Sequence, residues 1–115
     1  TQLMRKDSLE LTDADRAAIH EAVAASDADK ILVTHGTDTM VDTARVLSDI
    51  GGKTIVLTGA MQPATLRNSD AEFNVGFALA ATQTLPPGIY IAMNGEVFDP
   101  AKVHKDRSAH RFMRD

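Results

Sequence analysis

The chain has 115 residues, 43% hydrophobic and 24% charged, with a formal net charge of −4, which fits one globular domain and leaves no room for a second. It contains no Cys, so a disulfide framework, a zinc-thiolate centre and a cysteine nucleophile are excluded, and 12 Lys plus Arg against 16 Asp plus Glu give no electrostatic footprint for nucleic acid. No stretch approaches the ~20 apolar residues of a membrane span, and the start, TQLMRKDSLE, lacks the apolar region of a signal peptide. The expectation is a soluble, cytoplasmic protein with neither nucleic-acid nor membrane partners.

Thr12 followed by Asp15 has the form of a capping box and precedes Ala17, Ala18, Ile19, Ala22 and Val23 at helical spacing, which predicts a helix over 13–25. Ser26, Asp27, Ala28 and Asp29 break it, and KILVT over 30–34 is a continuous apolar run of the kind found in a strand covered on both faces. A broad apolar face over 38–50, closed by Gly51-Gly52, predicts a second helix. KTIVLT over 53–58 repeats the strand signature, a loop containing Pro63 follows, and the Ala-rich segment 70–84 predicts a third helix. Pro86-Pro87-Gly88 marks a turn before a third strand, GIYIAM over 88–93, and everything from Asn94 onward is polar and basic with little periodicity. This alternation predicts an α/β domain: a three-layer, Rossmann-like open parallel sheet with right-handed crossovers and helices on both faces. Function in such sheets lies in the loops at the carboxyl ends of the strands, here residues 34–39, 58–70 and 93–107.

The sharpest constellation is VTHGTDTM over 33–40, where a strand runs into a Gly-containing turn and a helix start crowded by Thr37, Asp38 and Thr39. Free N–H groups suit that place to a carboxylate or a developing oxyanion, and the same residues equally suit a helix cap. A Thr hydroxyl becomes a useful nucleophile only when a base takes its proton, a part a Lys can play beside an orienting Asp. Lys102, Lys105, Arg107, Arg111 and Arg114 all lie beyond the third strand, and spacing does not choose among them. Asp70 and Asn74, four residues apart, suit a cap and a loop brace as well as a site. His35 reads as a loop-packing residue and Arg67 as a surface charge. His20, His104 and His110 lack metal-ligand spacing, so no metal is expected.

Four ordered segments resemble the bacterial-type L-asparaginases. ILVTHGTDTMVDTA over 31–44 resembles their HGTDTM signature, and TIVLTGAMQPATLRNSDAEFN over 54–74 their GAM-x-P…SD…N segment. IAMNGEVFDPAKVHK over 91–105 resembles the segment ending in a catalytic Lys, and DSLELTD over 7–13 the substrate loop. The resemblance implies a triad of Thr37, Asp38 and Lys105, with Thr37 the second of the family's two threonines. It implies that Ser8 holds the substrate's α-carboxylate, that Gly36 and Ala60 contact substrate through the backbone, and that Asp38 also faces the α-amino group. It further implies hydrolysis of asparagine, or a related small amide, to carboxylate and ammonia through an acyl-enzyme, with no metal or organic cofactor, in a homo-oligomer.

Three departures accompany the match. The family's first threonine sits in an N-terminal strand with a TGGTI-type loop that these residues do not contain, so the fold is expected to be incomplete at its N-terminus, with about 40 to 50 preceding residues, the size of one βα unit, or another chain in that slot. Leu9 stands where the family usually has a polar substrate contact, which leaves the identity of the amide open. The chain also ends near Asp115, like the short, single-domain asparaginase-like proteins. Two other classes stay open: a module that binds an amino acid or dicarboxylate without hydrolysis, and a subunit whose sheet completes another chain.

Overall fold

Thr12 Oγ1 accepts from the Asp15 N–H at 3.1 Å while Asp15 Oδ2 accepts from the Thr12 N–H at 3.0 Å, so the capping box forms and launches α1 (Asp13–Ala25) at the expected residue. The computed structural model describes residues 7–62, 69–109 and 111–115; Pro63, Arg67 and His110 lie outside the described residues. The chain continues through β1 (Lys30–Thr34), α2 (Met40–Val46), β2 (Thr54–Thr58), α3 (Ala71–Thr84) and β3 (Gly88–Met93). Each expected element is present.

The second helix is shorter than its apolar pattern. Single 3-10 turns, Thr37–Thr39 and Leu47–Asp49, flank α2, because Thr39 leaves helical dihedrals (φ −125°, ψ 20°) and donates its hydroxyl to the Ser8 carbonyl at 2.8 Å.

The segment beyond Asn94, expected to be irregular, is a correction. Asn94 and Gly95 both have positive φ, 53° and 80°, the requirement of a tight hairpin turn. They fold β4 (Glu96–Phe98) back antiparallel on β3, with Ile91 opposite Phe98. A second hairpin follows, β5 (Val103–Asp106) with β6 (Arg111–Arg114). The main sheet therefore runs β1-β2-β3-β4, parallel across its first three strands and antiparallel at its last edge.

Alternation along the strands builds three layers. Ile55, Leu57, Ile91 and Met93 point to one face and pack with Ile19 and Val23 of α1, Met40 and Ala44 of α2, and Leu47. Phe98, Val103 and Phe112 close the same core. Val56 and Ala92 point to the other face, where α3 presents Ala78 and Ala81. Small residues on both sides of that contact let the helix lie close to the sheet.

Asn74 ties the carboxyl edge of the sheet together. It is fully buried; its Nδ2 donates to the Gly59 carbonyl and to Asp70 Oδ2, both at 2.9 Å, and its Oδ1 accepts from the Asn94 N–H at 2.9 Å. One amide thus holds the loops after β2 and β3. Asn74→Ala removes the partner of the part-buried Gly59 carbonyl and Asn94 N–H and empties a fully buried side-chain site, and urea denaturation is expected to show a loss of about 1 to 3 kcal/mol.

Candidate active site

β1 ends with the His35 N–H donating to the Thr58 carbonyl at 2.9 Å, which carries the sheet pairing one residue past the strand and aims Gly36 and Thr37 over its carboxyl edge. Ser8 arrives from the other side. Asp7 Oδ1 accepts from the Leu9 N–H at 3.0 Å and caps the turn Ser8–Glu10, which docks on the turn at Thr37–Thr39 through the Thr39 to Ser8 hydrogen bond. A Cβ on Gly36 would lie 2.8 Å from Ser8 Cβ and Oγ, so the two segments meet at a separation only glycine permits.

Thr37 is 7% exposed, and its hydroxyl does not cap a helix. Neither Gly36, which opens the turn, nor Thr39, which opens α2, makes a side-chain cap. Thr37 Oγ1 and Asp38 Oδ1 instead each accept from Lys105 Nζ at 2.7 Å. Of the five candidate cations, this selects Lys105, and the hairpin explains why. In β5, Val103 and Lys105 share a face; Val103 is fully buried, so Lys105 also points inward, with its side chain 13% exposed. His104, between them, turns outward and pairs with Asp115.

Arg107 Nε lies 3.5 Å from the same Asp38 oxygen, on a side chain 62% exposed. The hydrogen bond from Lys105 holds the Asp38 carboxyl below its usual pKa, with partial burial opposing and the charges of Lys105 and Arg107 adding to the effect. The arrangement offers a hydroxyl, an amine to take its proton and a carboxylate to hold the resulting ammonium. Ala60, in the half-buried stretch after β2, sits at the same edge.

Asp70 and Asn74 resolve as braces. Asp70 makes no side-chain cap on α3; it accepts from the Met61 N–H at 3.0 Å and the Gln62 N–H at 3.2 Å. Burial works against its ionisation, but these donors and Asn74 outweigh it and the pKa is lowered. His35 braces the loop from Gly36 on one side and Thr43 on the other. Spacing gave no sign of Thr43 or of Arg16 behind it, since they reach this loop from two different helices. Gly59 also went unmarked, although a glycine directly after a strand is a known sign of close backbone approach.

Residues 1–113 match the family described as Asparaginase, N-terminal. The chain is 36% identical over 111 residues to an L-asparaginase of Thermococcus kodakarensis, covering 92% of this chain and 34% of that protein. It is 31% identical over 97 residues to a glutaminase-asparaginase of Acinetobacter glutaminasificans, covering 80% and 29%. Among solved structures, the thermostable L-asparaginase from Thermococcus kodakarensis superposes with a TM-score of 0.87 at 34% identity, over 97% of this chain and 36% of that one. The chain spans about a third of the length of the relatives it matches.

Proposed function

This chain belongs to the asparaginase family through its N-terminal domain, and from that premise we propose that it carries the Thr37, Lys105 and Asp38 part of an amidohydrolase site. The reaction is hydrolysis of the side-chain amide of L-asparagine, or of a related small amide such as glutamine, to carboxylate and ammonia. The observation that carries this reading is the single Lys105 Nζ, 2.7 Å from both Thr37 Oγ1 and Asp38 Oδ1, three groups drawn from segments 67 and 68 residues apart.

In this reading a threonine outside these 115 residues makes the first attack on the amide carbon, as the resemblance of the four segments implies. Lys105, as the free amine, takes the Thr37 proton while the Thr37 oxygen takes the proton of the attacking threonine; Asp38 holds the ammonium; the proton on Lys105 passes to the departing nitrogen as the C–N bond breaks. Water then cleaves the threonine ester, with Thr37 and Lys105 removing its proton. Ser8, Gly36 and Ala60 line the place where the rest of the substrate rests. The reading includes a homo-oligomer in the cytoplasm with no metal or organic cofactor; β1, which pairs only with β2 among the described residues, supports a further sheet partner.

Ammonia release from L-asparagine, L-glutamine and a panel of small amides, by the protein produced with its full natural sequence, tests the proposal. Release from at least one amide is expected, and none from any of them overturns it. Leu9, 61% exposed beside Ser8, favours the second reading, a binding module. That reading expects aspartate or another small dicarboxylate to raise the melting temperature with no ammonia formed.

A further inference from the structure

Behind the site a chain of hydrogen bonds runs from Arg16 through Thr43 and His35 to the Gly36 carbonyl. Arg16 Nε, on α1, is 3.2 Å from Thr43 Oγ1 on α2. A guanidinium N–H only donates, so the Thr43 oxygen accepts there and its own proton is free to point elsewhere. The same oxygen meets His35 Nε2 at 2.8 Å, where it can donate its proton or accept on its second lone pair; the contact at the other ring nitrogen decides that the neutral ring accepts from it. Nδ1 faces the Gly36 carbonyl at 2.6 Å, where a donor is required. The opposite tautomer would set a lone pair against that carbonyl oxygen.

We propose that Arg16 and Thr43 are positioning residues: through the neutral Nδ1–H form of His35 they fix the Gly36–Thr37 peptide and hold the Thr37 hydroxyl in line with Lys105. Gly36 has no side chain and is exposed; Ser8 packs against its Cα, and the His35 ring is what holds its carbonyl. Its carbonyl belongs to the same peptide unit as the Thr37 nitrogen, which places the His35 bond one residue from the hydroxyl Lys105 contacts.

The surroundings agree with the assignment. Thr43 is fully buried, and the Arg16 side chain is 11% exposed, with Nη1 3.8 Å from Asp13 Oδ1 and 3.5 Å from the Leu11 carbonyl. The charged groups acting on His35 are Arg16, which opposes its protonation, and Asp42, which favours it; burial dominates and keeps its pKa below the ordinary value, against the pull of the Gly36 carbonyl.

The kinetic part of this inference rests on the amidohydrolase reading; the tautomer does not. Long-range 1H–15N spectra of the imidazoles at neutral pH are expected to show His35 as Nδ1–H in the native chain and in Thr43→Ser, and to show its unprotonated Nε2 resonance displaced in Thr43→Val and Arg16→Met, which remove or release the hydroxyl that donates to it. The same two disruptive variants are expected to move the Thr37 amide resonance and to lower kcat about 10- to 100-fold with little change in KM, while Thr43→Ser restores kcat.

An Nε2–H tautomer in the native chain overturns the inference. So does an Nε2 resonance that moves in the two variants while the Thr37 resonance, or kcat in an active protein, stays put. A protein inactive on every amide defeats the functional reading alone, and the Thr37 resonance then decides this one. Arg16→Met leaves the buried Thr43 in place, so the test stands even where Thr43→Val does not fold.

Discussion

Lys105→Met is expected to lower ammonia release by at least about 10³-fold, within the range for loss of a general base, while leaving the chain folded. The variant removes the group that contacts both Thr37 Oγ1 and Asp38 Oδ1, so the hydroxyl loses its proton acceptor and the carboxylate loses its cation. Asp38 keeps Arg107 at 3.5 Å and is itself 29% exposed, so water and the second cation limit the stability loss to about 1 kcal/mol or less. The melting temperature should fall by no more than a few degrees.

Lys105→Arg separates two roles. Arginine keeps the positive charge beside Asp38, but its guanidinium does not give up a proton at accessible pH. An arginine variant as inactive as the methionine one means Lys105 acts as a base; activity retained near the native level means it acts only as a charge.

The same triad sets an acid limit. Asp38 has its pKa lowered from 3.8 in the folded chain, so its contribution to stability is complete above that unfolded value and is lost as the pH falls through the lower folded one. Melting temperature measured against pH is expected to show that loss. In Arg107→Met the acid loss of stability is expected to begin at higher pH, because one of the charges that hold the Asp38 carboxyl ionised is gone.

What could be read in advance divides by length and locality. The capping box at Thr12, the runs KILVT and GIYIAM and the apolar pattern of 70–84 are local signals several residues long, and each produced its element. The strands VHKD and RFMR are four residues each, too short to display a period, and are held by pairing with one another and by burial of Val103 and Phe112 against a core made elsewhere. β4 had a local signal in Asn94-Gly95, a dipeptide that favours tight hairpins. The site divides in the same way. Thr37 and Asp38 stand out in one loop, whereas the selection of Lys105 depends on a hairpin's inward face, and from the residues alone Lys102 and Arg107 were equal candidates. The family resemblance picked Lys105, and the fold places that residue against Thr37 and Asp38. Arg16 and Thr43 had no local signature because their meaning lies in a contact between two helices and a loop.

Gly59→Ala is the substitution expected to damage fold and site together. A Cβ there would lie 2.1 Å from the His35 carbonyl oxygen, 3.3 Å from its carbonyl carbon and 3.1 Å from Met40 Cε. Met40 can turn its methyl aside, but the carbonyl is backbone, and its own residue is tied through its N–H to Thr58 at 2.9 Å. The ends of β1 and β2 must therefore part by about an ångström to restore ordinary contact, against close packing that yields little. Overpacking of this kind costs about 3 kcal/mol, to be read from the urea midpoint at unchanged slope. Because His35 leads into Gly36 and Thr37, the same displacement shifts the hydroxyl relative to Lys105, and kcat should drop about 100-fold. Gly76→Ala provides the contrast. Gly76 lies inside α3 with nothing within 4 Å of an added Cβ, so the methyl meets open space and helix propensity makes the change stabilising by roughly 0.5 to 1 kcal/mol. Opposite signs from one chemical change would locate the effect in the His35 contact; a Gly59→Ala chain with the native midpoint and kcat would mean that the two strand ends are not held as close as the pairing of His35 with Thr58 requires.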